Sequence, residues 1–332
     1  MKTEYSAFTE DMIPPAGELL ARRHAADRKR LPLLPQRFEE PEVAARAVRA
    51  CWEHKGASGY AALRSGELRG FLLGERSVQE WGRCGHVQQP GWALAEGERH
   101  AVLQDLYALL GEDWVRKGVF NHYVLVPAGD TEAQASLFEL GFGKDGVRAL
   151  LDLKAMHLPV LAQPKGIEVR IAAAGDERAL GDLSDTIYRA LAESPTWFPV
   201  MPEVWEDLRQ GWSELATDKE WIVWMAFEGS RALGMVGIHP EAEGDAHILA
   251  SPKACDLSVG ATRAEARGRG LGTYLTSRAL EQARADGYRI CHIGWVSSNL
   301  WAARHWHRYG YQDATYRLAK RISPDVSWTR AS

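Results

Sequence analysis

Residues 261–272 read Ala-Thr-Arg-Ala-Glu-Ala-Arg-Gly-Arg-Gly-Leu-Gly. The glycines at 268, 270 and 272 carry no Cβ, so the backbone there tolerates positive φ and lets an anion come close to the main chain. A helical pattern follows, with Leu271, Leu275, Ala279 and Ala283 at i, i+4 spacing and a glycine stop at Asp286-Gly287. The N–H groups of Leu271, Gly272 and Thr273 are therefore first-turn donors at the positive end of a helix dipole. Arg267 and Arg269 add fixed charge with the forked geometry that suits a diphosphate. The chemistry this spacing supports is phosphate capture. No Lys-Ser or Lys-Thr follows the glycines and no G-x-G-x-x-G is present here, so the Walker and dinucleotide loops are excluded.

The elements around the turn must hold it. Residues 256–262 alternate as a strand, with Leu257, Val259 and Ala261 on one face and Asp256, Ser258 and Thr262 on the other. This predicts that Asp256 and Ser258 point into an open cleft. After a second strand at 288–296, the chain reads Asn299-Leu-Trp-Ala302-Ala-Arg-His-Trp306-His-Arg-Tyr309-Gly310-Tyr311. Asn299 can cap a helix there, Ala302 allows close packing and Gly310 ends the helix. His292 is either a proton relay or a hydrogen-bonded core residue.

The glycine turn resembles the pyrophosphate loop R-x-x-G-x-G of the GNAT superfamily of acyl-CoA-dependent N-acetyltransferases, with Arg267, Gly270 and Gly272 in register. Residues 299–311 resemble the superfamily's N-x-x-A-(x)-Y-x-x-x-G-F segment, and the two motifs stand in the family's order. The resemblance implies acetyl-CoA as co-substrate and direct attack of an amine on its thioester. It places the cofactor on Ala261, Thr262, Arg267, Gly268, Arg269, Gly270, Leu271, Gly272, Thr273 and Asn299, with a splayed strand ahead of the loop donating backbone hydrogen bonds. Some members carry a carboxylate base on this strand, which makes Asp256 the candidate base; the bland alternative is a capping aspartate. Where many members carry a tyrosine that protonates the departing thiolate, this chain has Trp306. Tyr309, one turn later, is the candidate acid, with packing as its alternative.

An internal repeat runs through the chain. Asp130, Ala133, Leu137, Gly141 and Phe142 match Asn299, Ala302, Trp306, Gly310 and Tyr311 at a constant shift of 169, from 299 minus 130 and 310 minus 141. Hairpin patterns around Ser65-Gly66 and Gly229-Ser230 echo each other. The expectation is an α/β fold of two tandem GNAT-like domains, each a mixed twisted sheet flanked by helices. The first, 1–158, is degenerate and lacks the phosphate loop; the second, 165–332, carries the acetyl-CoA site; a proline-containing linker over 157–166 joins them. At the first half's equivalent of the loop stand Glu96, Gly97 and Glu98, whose carboxylates repel a diphosphate.

With 332 residues, 45% hydrophobic content and 25% charge, the chain suits two globular cores. A net charge of −4 argues against a nucleic-acid partner, the Arg-Gly turn on RNA backbone included. Cys51, Cys84, Cys255 and Cys291 are scattered, as reduced thiols in a cytoplasmic protein would be, and no metal site is expected. Neither a leader peptide nor a membrane partner is expected, since no apolar run reaches about 18 residues. The expected partner is a small-molecule amine, bound by a monomer or homodimer. Tyr188, Trp197, Phe198 and Trp205, with Trp212, are either an acceptor pocket for an apolar or cationic amine or cement between the halves. A non-catalytic acyl-CoA sensor is the rival reading.

Overall fold

A tight left-handed turn closes a hairpin in each half of the fold. In the computed structural model, which describes residues 2–79, 82–156, 158 and 161–330, Ser65 and Gly66 take φ of 53° and 79° and Gly229 takes 60°. Such turns match the twist of the strands they join.

The first half runs β1 (Glu4–Ala7), α1 (Ile13–Arg30), α2 (Pro41–Glu53), β2 (Ser58–Arg64), β3 (Glu67–Gln79), β4 (Gly82–Val87), β5 (Trp92–Leu94), α3 (Ala101–Arg116), β6 (Asn121–Pro127), α4 (Thr131–Glu139) and β7 (Gly143–Asp152). The second runs β8 (Glu168–Ile171), α5 (Glu177–Ala192), α6 (Trp205–Glu214), β9 (Ile222–Glu228), β10 (Arg231–Pro240), β11 (Ala254–Thr262), α7 (Leu271–Ala285), β12 (Ile290–Val296), α8 (Leu300–His307), β13 (Gln312–Arg321) and α9 (Val326–Arg330). The 169-residue shift holds in three dimensions. β6 and β12 begin at 121 and 290 and end at 127 and 296, a difference of 169 at each end. Asp130 caps α4 by accepting from Ala133 N–H at 3.0 Å, and Asn299 caps α8 from Ala302 N–H at 3.1 Å. Gly141 and Gly310 close those helices at φ of 82° and 89°.

Two compact units form. One holds Met1–Arg148, Ala242–Ser251 and Asp313–Ser332; the other holds Ala149–Glu241 and Pro252–Gln312. The expected boundary near 160 falls on residues outside those described, and the compact division comes earlier, inside β7. A linear reading of proline content cannot see strand exchange: β13 pairs antiparallel with β6, and Ile248 from the β10–β11 connection packs in the core with Phe38 and Phe71.

In the first unit the strand order is β1-β2-β3-β4-β6-β13. Its cores gather Ile13, Leu20, Phe38 and Val48, and separately Leu103, Leu106, Leu110 and Trp114. In the second the order is β12-β11-β10-β9-β8, with Leu180, Leu183, Trp212, Met225 and Met235 in its core. Gly181 lets α5 approach α6, because a Cβ there would stand 2.6 Å from Ser213 Oγ. No helix among the described residues is long and apolar enough to cross a membrane.

Buried histidines make the first unit sensitive to acid. His122 lies between Tyr107 Oη and the Val119 carbonyl, at 2.8 and 3.0 Å, and His24 reaches the Pro35 carbonyl at 2.8 Å. Burial lowers both to about 4. An unfolded histidine protonates near ~6.5, so between about 6.5 and 4 the unfolded chain binds more protons and stability falls as pH falls. Asp27, raised to about 6 by burial, has the opposite sign. Thermal melts should therefore show a Tm that drops from pH 6.5 to 4, more steeply in Asp27→Asn and less steeply in His122→Gln.

Candidate functional site

Strand pairing sets the site. β11 runs parallel to β12 only through Ala254↔Ile290, Cys255↔Cys291 and Asp256↔His292. On its other side β11 stays with β10, from Cys255 through Thr262. Beyond Asp256, then, β11 parts from β12, and the sheet opens. Below the parting, the Tyr311 hydroxyl donates to Cys291 Sγ at 3.1 Å, and the thiol of Cys255 is pushed up by its hydrogen bond with Cys291 and by burial.

A bulge accompanies the parting. Gly237 pairs with Val259 but His239 pairs with Asp256, so β11 advances three residues where β10 advances two. The extra residue breaks the alternation. Ser258 is the one exposed residue of β11, as the alternation predicts, whereas Asp256 is only 6% exposed and does not face an open cleft.

The glycine turn begins where β11 ends. A short 3₁₀ turn, Ala264–Ala266, leads to Arg267, whose Nε donates to the Thr262 carbonyl at 3.3 Å. Gly268 and Gly270 take φ of 74° and 76°, the left-handed region that a β-branched residue resists. Gly272 does not use that freedom; it stands in the first turn of α7, where a Cβ would meet Thr262 Oγ1 at 3.4 Å. Gly270 precedes α7 with no side chain to cap it, and residues 267–270 are all exposed. Tyr274 N–H closes the first turn on the Gly270 carbonyl at 2.9 Å. The donors of Leu271, Gly272 and Thr273 thus sit at an uncapped positive helix end, which is the fit a diphosphate requires. Two carboxylates stand nearby: Arg269 meets Glu228 at 3.2 Å, and Arg231 pairs with Glu265. Both pairs are exposed and cost little to break.

The first unit has the same opening and closes it. β4 follows β6 to Val87↔Val124, then turns away. Trp92 fills the space beyond, its indole N–H donating to the Leu125 carbonyl at 2.9 Å. The Arg23 guanidinium lies 4.5 Å over that ring and bonds the Trp92 and Gln89 carbonyls. The residue 169 positions after Leu125, Gly294, is exposed. Glu98, in place of a phosphate loop, is held by Arg64 at 2.9 Å and Arg69 at 3.5 Å. Burial alone would raise its carboxyl, but those arginines and the Arg99 N–H prevail and lower it.

A model of the acetyltransferase (GNAT) family matches residues 185–311. That stretch, which holds the glycine turn and the segment through Tyr311, is similar to the GNAT family. Three solved structures share the fold over 96% of this chain. A GCN5-related N-acetyltransferase from Sphaerobacter thermophilus is 18% identical, with 95% of its length covered and a TM-score of 0.60. A tandem GNAT protein from the clavulanic acid biosynthesis pathway is 15% identical, covered over 98%, with a TM-score of 0.55. The glucosamine N-acetyltransferase region of a fungal multi-domain GH3 beta-N-acetylglucosaminidase is also 15% identical, at 0.61, with 38% of that chain covered. No match was found among curated proteins. The fold is thus a tandem of two GNAT-like α/β domains.

Around the parting of β11 and β12, the structure sorts the remaining candidates. Asp256 stands in register between His239 and His292, and His292 Nδ1 lies 3.1 Å from Glu241 Oε2. Tyr309 is 6% exposed and donates its hydroxyl to the Thr273 carbonyl at 3.0 Å, in the first turn of α7. Burial raises its pKa. Trp306, in the position of the family tyrosine, packs edge-on near Tyr311 and His305. Burial lowers His305 to about 4, so it is neutral beside Tyr309, with Thr276 Oγ1 3.2 Å from its Nε2.

Of the acceptor residues, the structure brings Tyr188 and Trp205 together with Trp212 across the α5–α6 hairpin, at ring distances of 5.9 and 6.3 Å. Arg189 lies 5.9 Å over Trp205. Trp197 is 69% exposed at φ of 45°, outside this cluster, and Phe198 follows it, its N–H donating to the Leu191 carbonyl at 2.8 Å. Sequence reasoning missed His239, whose partner on β11 is set only by the bulge.

Calorimetric titration with acetyl-CoA should give one site per chain. Gly270→Val, which forces a branched side chain into the left-handed region, and Arg267→Glu, which reverses a charge, should each weaken binding at least 10-fold without lowering the Tm by more than a few degrees.

Proposed function

We propose that the second unit binds acetyl-CoA and transfers its acetyl group to an amine of a small molecule by direct attack. The observation that carries this reading is the left-handed Gly270 turn, feeding an uncapped α7 beside the parting of β11 and β12. Arg267, Gly268, Arg269, Gly270 and the N–H groups of Leu271, Gly272 and Thr273 would hold the diphosphate. Ala261 and Thr262, on the stretch of β11 that has left β12, would meet the pantetheine arm, with Asn299 at the far side of the opening. When bound, the thioester supplies an activated acyl carbonyl.

The chain's own residues then orient the acceptor and move protons. Tyr188 and Trp205 offer aromatic faces to an apolar or cationic amine, with Trp197 and Phe198 on the connecting loop. Asp256, buried in register with two histidines, is placed to orient them. Tyr309 stays protonated through the neutral range and is the proton donor of this reading. Its hydroxyl is already turned to the first turn of α7.

Trp306 favours a second reading, a non-catalytic acyl-CoA sensor, because no hydroxyl stands at that position. Continuous assay of free thiol with acetyl-CoA and primary amines separates the two. The enzyme reading expects amine-dependent CoA release, and Tyr309→Phe should lose activity chiefly on the alkaline limb of the pH profile. Acetyl-CoA binding without release by any amine would favour the sensor.

A further inference from the structure

The row of side chains at the mouth of the parting contains a pair whose hydrogen bonds fix the direction of proton flow. His239 Nδ1 lies 2.8 Å from the Pro240 carbonyl, and His239 Nε2 lies 2.8 Å from Ser258 Oγ. A carbonyl only accepts, so Nδ1 carries the imidazole proton and Nε2 is left as an acceptor for the serine hydroxyl. The ring is held from behind by Trp221, 4.3 Å away between centroids. Trp221 fits because residue 237 is glycine: a Cβ there would stand 3.2 Å from the indole. Ser258 is exposed at the bulge, while Asp256 opposite His239 is buried.

We infer that Ser258 and His239 are the catalytic proton-accepting pair for the acceptor amine, an inference that rests on the acyltransferase reading above. An acceptor ammonium at the opening donates one proton to Ser258 Oγ as the serine passes its own to His239 Nε2, leaving a free amine and an imidazolium. The amine forms the C–N bond to the acetyl carbon, the C–S bond breaks, and Tyr309 protonates the departing thiolate and takes the second nitrogen proton in return. The imidazolium returns its proton to water, so one ammonium and one thioester yield one amide, one thiol and one proton. The groups facing the imidazole are the Trp221 ring, Ser258 and, in register, Asp256; Glu241 lies two residues on, just past the end of β10. Asp256 is a positioning residue in this scheme.

The test measures CoA release from acetyl-CoA with benzylamine, tyramine, glucosamine and ethanolamine, alongside calorimetric binding of acetyl-CoA. His239→Gln keeps a polar group but accepts no proton, so kcat should fall about 10²- to 10³-fold, with acetyl-CoA affinity unchanged. Ser258→Ala, at an exposed position, should lower kcat about 10-fold or more. In His239→Gln the acid limb should move up toward the amine's own pKa, so that activity recovers as pH rises, which a merely structural defect would not permit. Wild-type kcat and an unmoved acid limb in both variants would overturn the pair alone, as would a loss that high pH does not restore. A wild-type protein that binds acetyl-CoA but releases no CoA with any of these amines would overturn the acyltransferase reading and the pair with it.

Discussion

The parting of β11 from β12 after Asp256↔His292 is the constraint on which the site depends. A parallel pair that continued would satisfy its own backbone groups and leave neither an opening nor a reason for a bulge. Because β11 stays with β10 while leaving β12, its last residues deliver the chain to the glycine turn at the edge of the opening. The bulge then decides which side chains face out. The added residue buries Asp256 and presents Ser258 beside His239.

The same parting in the first unit shows how such an opening is lost. Trp92 supplies the indole N–H that satisfies the Leu125 carbonyl, and Arg23 locks the turn carrying it. Glu98 replaces an anion site with a carboxylate of its own, neutralised by two arginines. Within one chain, the fold thus appears once with its cleft filled by side chains and once with the cleft open.

Features set by local backbone chemistry were legible in the sequence. Glycine spacing located the φ-positive turn before α7, Asn299 and Asp130 marked two equivalent caps, and the 169-residue shift foretold matching strands to the residue. Features set by register were not legible. Strict alternation put Asp256 in the cleft because a bulge inserts its residue without any sequence mark at Leu257 or Ser258. Trp92 gave no sign of its role, since a tryptophan in a β-run reads as core until its indole is seen bonded to a strand 33 residues away. The pairing of β13 with β6 is illegible for a similar reason: β6 lies nearly 200 residues earlier in the chain, and no local break in composition reports it.

Hydrogen–deuterium exchange with and without acetyl-CoA tests the central claim most directly, because the claim concerns backbone N–H groups. The account predicts slowed exchange over residues 262–273, centred on the first turn of α7, and no change over residues 95–102 of the first unit. Protection of residues 95–102 with none over 262–273 would contradict it.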